Sequence, residues 1–117
     1  MYKNFAFFVL YTRMEIYWKD NLKKKVESLA QSDREVAKRL NSIKAATSFK
    51  DLELQCNGRA HFLRGTLKGH FSIDLCRKGN GKRFICLPCG DCKKDNSGNY
   101  IRETITEINI LRIEDYH

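Results

Sequence analysis

The run Phe71-Ser72-Ile73-Asp74-Leu75 alternates apolar and polar side chains without a break. Successive residues of a strand point to opposite faces, so this run puts three apolar groups on one face and Ser72 and Asp74 on the other. Lys78-Gly79-Asn80-Gly81-Lys82 follows, a turn whose two glycines and asparagine accept positive φ. Arg83-Phe84-Ile85-Cys86-Leu87 returns from it and is stopped by Pro88. The chain therefore contains a β-hairpin with one apolar face.

Upstream, Leu22, Val26, Leu29 and Ala30 recur at helical spacing, with Lys23, Lys24 and Lys25 on the outer side. Ser32-Asp33-Arg34-Glu35 has the capping-box pattern, with Ser32 as N-cap and Glu35 three residues on. It opens a second helix whose Val36, Ala37, Leu40 and Ile43 form one apolar stripe. Neither helix is stable in isolation, so both are expected to lie as a hairpin on a sheet. Before them, Glu15-Ile16-Tyr17-Trp18 is short, rich in β formers and reads as an edge strand. From about Leu52 the period becomes strand-like: Leu52 and Leu54 alternate with polar residues, and Ala60-His61-Phe62-Leu63-Arg64 reads as a strand. A polar loop from Cys89 to Tyr100 precedes a last strand over Glu103 to Ile113. Two helices followed by successive strands without crossover helices predict an α+β domain, an N-terminal helical hairpin packed on a small antiparallel-rich β-sheet. At 117 residues, with no internal repeat, one domain spans 1–117.

Charge narrows the partner. Twenty-two Lys and Arg against fourteen Asp and Glu give +8, which favours a polyanion, either nucleic acid or an acidic protein surface. Five cysteines at irregular spacing do not make a disulfide scaffold and fit a reduced, cytoplasmic setting. The run Phe5-Ala6-Phe7-Phe8-Val9-Leu10-Tyr11 is short for a signal sequence and lacks a small-residue cleavage site after it. It reads as a buried strand or as a leader upstream of a start at Met14, so residues 1–13 are set apart as an extension. No apolar run approaches the roughly 20 residues of a spanning helix, so no membrane role is expected.

His61 and Arg64 share one segment, Arg83 sits just past the hairpin turn, and Asp115, Tyr116 and His117 crowd the C-terminus. If the last strand pairs beside the hairpin, these groups converge on one face of the sheet. Imidazoles, a phenol and guanidinium groups in a basic site suit metal-free cleavage of RNA. That reaction needs a base for the ribose 2′-OH proton, an acid for the leaving 5′-oxygen, and fixed cations around the phosphorus. Arginine offers a forked donor set that matches phosphate oxygens, and tyrosine stacks on a base. The bland alternative stays open on spacing: a structural histidine, solvated arginines at strand ends, and a fraying Tyr-His terminus.

Four stretches carry a family resemblance: His61-Phe62-Leu63-Arg64-Gly65, Lys68-Gly69-His70-Phe71-Ser72-Ile73-Asp74-Leu75, Arg83-Phe84-Ile85-Cys86-Leu87-Pro88 and Ile110-Leu111-Arg112-Ile113-Glu114-Asp115-Tyr116-His117. Together with the helical hairpin from Leu22 to Ala46 they resemble HigB-type toxins of bacterial toxin–antitoxin modules, within the RelE/ParE superfamily, from about Met14 onward. The terminal Asp-Tyr-His after an isoleucine-rich strand is the most specific element. The resemblance implies a RelE-like fold and a ribosome-dependent endoribonuclease, an mRNA interferase that inhibits translation and growth without a cofactor. It puts catalytic roles on His61, Arg83, Asp115, Tyr116 and His117, and contacts to RNA phosphate on Arg64, Lys68 and Lys82. Arg83 and Arg64 would hold the scissile phosphate, and His117 or His61 would move protons. Tyr116 would orient the nucleotide, and Asp115 would fix an imidazole or an arginine. The implied partners are the ribosome with its mRNA and a HigA-like helix-turn-helix antitoxin, whose complex with the toxin would contact operator DNA.

The same superfamily includes ParE-like inhibitors of DNA gyrase that cut no RNA, and fold does not choose between the two. The set His61, Arg83 and His117 with the Asp-Tyr-His end favours the nuclease. A basic nucleic-acid-binding domain without activity ranks last, because the strands lack the aromatic interleaving of an RNA-recognition motif. Cys86, Cys89 and Cys92, with Cys76 across the hairpin, have the composition of a tetrahedral zinc site. Against this, Cys76 and Cys86 occupy positions expected to be apolar core, where a free thiol packs as a small hydrophobe, and no metal is expected.

Overall fold

The computed structural model describes residues 12–56, 59–76 and 81–115. The apolar run at 5–11, the turn residues Lys78-Gly79-Asn80, and Tyr116 and His117 lie outside the described residues. The elements run β1 (Glu15–Trp18), α1 (Leu22–Ser32), α2 (Arg34–Ala45), α3 (Phe49–Gln55), β2 (Ala60–Phe62), β3 (Phe71–Cys76), β4 (Lys82–Cys89) and β5 (Glu107–Asp115). They form an α+β fold with a five-stranded sheet in the order β1-β5-β4-β3-β2. The helices cover one face of it. No helix among the described residues is long and apolar enough to cross a membrane.

The sheet is mixed and antiparallel-rich, and the expected helical hairpin is extended by a third helix between β1 and β2. β1 is an edge strand, as its composition predicts, and it pairs parallel to β5 from Glu15↔Glu107 to Trp18↔Ile110. Parallel partners need a crossover, and the three helices lie within the chain that makes it. The other three pairings are antiparallel.

Local chemistry explains the helix boundaries. Asp33, not Ser32, caps α2: its Oδ1 accepts the backbone N–H of Glu35 at 2.9 Å and of Val36 at 3.3 Å. Its own N–H closes α1 onto the Leu29 carbonyl at 2.9 Å, so one residue ends one helix and starts the next. Ser32 stays in α1 and donates its hydroxyl to that same carbonyl. The stretch around Leu52 and Leu54 is helix α3 rather than a strand. Ser48 caps it, accepting from the Asp51 N–H at 3.2 Å, and Asp51 in turn accepts from the Thr47 N–H at 2.9 Å. Phe49 and Leu52, three residues apart, are fully buried, whereas Leu54 is exposed.

The last strand begins at Glu107, because Arg102–Thr104 forms a short 3₁₀ turn held by the Thr104 hydroxyl on the Ile101 carbonyl. Between β4 and β5 the register slips: Ile85 pairs with Arg112, but Cys86 pairs with Ile110. Leu111 is the extra residue of a β-bulge. It keeps Ile110 and Ile113 both on the helix side although they are three residues apart, and it turns Arg112 and Glu114 to the other face. The helix-side core runs from Val26, Val36, Leu40 and Ile43 through Phe49 and Leu52 to Phe71, Ile73, Phe84, Ile108 and Ile110.

Candidate functional site

The face of the sheet turned away from the helices carries the polar chemistry. Strand pairing lays it out in two rows. One runs His61↔Ser72↔Ile85↔Arg112 and the next runs Asp74↔Arg83↔Glu114. Residues two apart on a strand share a face, so His61 and Arg83 project from the same side. His61 is exposed, with its Nε2 3.4 Å from the Ser72 hydroxyl, itself fully buried with Ile85.

Arg83 directs its fork across the strand pair. Its Nε and Nη2 lie 3.2 and 2.9 Å from Glu114 Oε1. Arg112 reaches the same carboxylate from its own strand, with Nε 3.0 Å from Oε2. The Arg83 hydrogen bond chiefly, then those and the charge of Arg112, hold the Glu114 carboxyl below the usual carboxylate range against the opposing effect of its partial burial. Asp74, cross-strand from Arg83, meets Arg59 at 3.5 Å. The face thus alternates guanidinium and carboxylate groups.

The sequence-predicted site residues divide. His61 and Arg83 share this face, two strands apart and in adjacent rows. Lys82 and Asp115 pair with each other at 2.7 Å one residue further along, which by alternation is the opposite side of the sheet from Arg83 and Glu114. Asp115 therefore does not converge with Arg83 as the linear order implied, because the bulge sets the phase of the whole end of β5. Arg64 and Lys68 are exposed in the loop joining β2 to β3, at the far end of β3 from Asp74. The structure separates these two cations from Arg83. Tyr116 and His117 lie beyond the described residues. Arg112, Glu114, Asp74 and Arg59 went unmarked in the sequence. The Ile110-Leu111-Arg112-Ile113 spacing, which breaks strict alternation, is the signal that would have found the first two.

The thiols divide as well. Cys86 is buried on the helix side, and burial drives its thiol far above the ordinary value. Cys89 and Cys92 are partly exposed near the end of β4, and burial first, then the charges of Glu107, Cys92 and Glu15, push the Cys89 thiol up. A thiol so raised stays protonated at neutral pH and is a poor nucleophile. Among the described residues no three His, Cys, Asp or Glu side chains group to hold a metal ion. Beside Cys89, Gly90 has φ +73°, and the Glu107 carboxylate occupies the space a Cβ there would take. Glu107 also accepts the Tyr17 hydroxyl at 3.1 Å, and Glu15 accepts it at 2.6 Å. A separate groove of about 660 Å³ in the helical layer is lined by Lys24, Lys25, Ser28, Leu29 and Ser32.

Comparison of the chain with protein-family models, with curated proteins and with solved structures finds no match.

Proposed function

We propose that this chain is a HigB-like toxin of the RelE/ParE superfamily, with a RelE-like fold, that cuts mRNA on the ribosome and so arrests translation and growth. The observation that carries the proposal is the shared face: His61 on β2 and Arg83 on β4 project from one side of the sheet, with the Arg83 fork on a carboxylate that solvent can reach. Neighbouring strands lie about 4.8 Å apart, and His61 and Arg83 stand two strands apart and two residues apart along them, so their side chains must reach toward one another to act on one nucleotide.

In the proposed reaction the ribose 2′-oxygen attacks the adjacent phosphorus, losing its proton to an imidazole as the bond to the 5′-oxygen breaks and that oxygen takes a proton. His61 is one proton-moving group, and the sequence supplies His117 as the second. Arg83 binds two non-bridging oxygens and stabilises the charge that builds there. Tyr116 orients the base. The net charge of +8 favours entry to a site walled by ribosomal RNA phosphates. A HigA-like antitoxin with a helix-turn-helix would silence the cytoplasmic toxin, and operator DNA would be met through that complex.

The test is growth arrest on induction, at matched protein level, for the wild-type chain, His61→Ala and Arg83→Ala. Loss of arrest in both supports the proposal. Full arrest by Arg83→Ala overturns it.

A further inference from the structure

Glu114 stands where an external anion would stand. Its Oε1 accepts from Nε and Nη2 of Arg83 at 3.2 and 2.9 Å, and its Oε2 lies 3.0 Å from both Nε and Nη2 of Arg112. One carboxylate thus sits between two guanidinium forks and gives one oxygen to each. A phosphodiester presents the same pattern, two non-bridging oxygens carrying one negative charge, each able to accept from a fork. The backbone fixes the pair of forks: Arg83 is the cross-strand partner of Glu114, and the bulge at Leu111 puts Arg112 on the same face. All three side chains remain open to solvent, with Arg83 24%, Glu114 27% and Arg112 47% exposed. Ion pairs with this much access to water are weakly held and exchange readily.

We infer that Glu114 is an internal stand-in for an RNA phosphate: it fills the two-arginine site in the free protein and yields it to a phosphodiester of single-stranded RNA. Arg112 is then a second phosphate ligand beside Arg83, and Glu114 is a brake on binding. The inference rests on the nuclease reading for its choice of RNA as the ligand. Asp74, the cross-strand partner of Arg83 on β3, meets Arg59 at 3.5 Å. The displaced Glu114 carboxylate turns toward solvent, away from the like charge of the incoming phosphate.

The experiment measures binding of a fluorescently labelled single-stranded oligoribonucleotide to the full chain by anisotropy, over a salt series, for wild type, Glu114→Gln, Glu114→Asp and Arg112→Gln. Glu114→Gln, which removes the competing charge, is expected to bind about threefold tighter or more. Arg112→Gln is expected to bind more weakly and to lower the salt slope by about one phosphate contact. Equal or weaker binding by a folded Glu114→Gln overturns the inference. Should that variant fail to fold, Glu114→Asp decides: one methylene shorter, it cannot span both forks, so it should tighten binding, and unchanged binding overturns the inference. A labelled oligoglutamate peptide is the second probe. Tightening for the peptide and not for RNA assigns the site to an acidic protein surface and overturns it too. Tighter RNA binding without any mRNA cleavage keeps this site while the nuclease reading falls. Cleavage with RNA binding unmoved by Glu114→Gln does the reverse.

Discussion

Arg83 and Glu114 face one another across β4 and β5, Nη2 to Oε1 at 2.9 Å, and the same carboxylate is shared with Arg112. This contact ties Arg83, which the sequence marked, to two residues that it did not. Its formation depends on the bulge at Leu111, because without that extra residue Arg112 and Glu114 would point into the helical layer.

The titration of Glu114 follows from this geometry. Its carboxyl is held below the usual carboxylate range, by Arg83 first and then Arg112. A depressed carboxyl stabilises the fold above its unfolded pKa, and that contribution is lost as pH falls through the folded value. Carbon-detected NMR should find the midpoint of Glu114 below that of a solvated glutamate. The midpoint should move up in Arg83→Gln and by less in Arg112→Gln. An ordinary midpoint in the wild-type chain contradicts the shared contact.

Phe49 is the anchor that holds α3 on the sheet. It is fully buried, with its ring 4.7 Å from Phe71 and 4.9 Å from Phe62 between centroids, and Phe62 stacks on Tyr100 at 5.5 Å. Phe49→Ala should lower unfolding free energy by about 3–5 kcal/mol in a urea titration. A loss below about 1 kcal/mol would show that the site collapses around the smaller side chain.

Gly90 combines a left-handed backbone with a neighbour in the place of its Cβ, whereas Gly98, at φ +83°, faces open space. Gly98→Ala should therefore cost only the backbone strain, about 1–2 kcal/mol, and Gly90→Ala should cost somewhat more. The additional cost arises because Glu107 must move and release the Tyr17 hydroxyl. Glu15 first, then Glu107, hold the Tyr17 phenol well above its ordinary value. Spectrophotometric titration of Gly90→Ala should find the phenol lowered toward that value and still raised by Glu15. Equal cost of the two alanines, with Tyr17 unmoved, contradicts this.

How far these features were readable in the sequence depends on whether one period dominates. The hairpin of β3 and β4 was legible because Phe71 to Leu75 alternates strictly, and α1 and α2 because their apolar stripes run for three turns. In the short α3 the Leu52–Leu54 spacing imitates a strand. The better signals were Ser48-Phe49-Lys50-Asp51, a cap pattern, and the three-residue step from Phe49 to Leu52. Among the site residues, convergence on one face was expected only on condition that the last strand pairs beside the hairpin. That expectation misplaced Asp115 and passed over Glu114, since a bulge changes phase at one residue and composition does not mark which.

The most direct test of the central claim is primer extension on a translated message after induction of this chain in a bacterial host. An mRNA interferase leaves cuts inside the reading frame that vanish when translation is blocked and are absent with Arg83→Ala. Growth arrest with intact messages and accumulating DNA breaks would contradict the nuclease reading and place the chain among gyrase poisons.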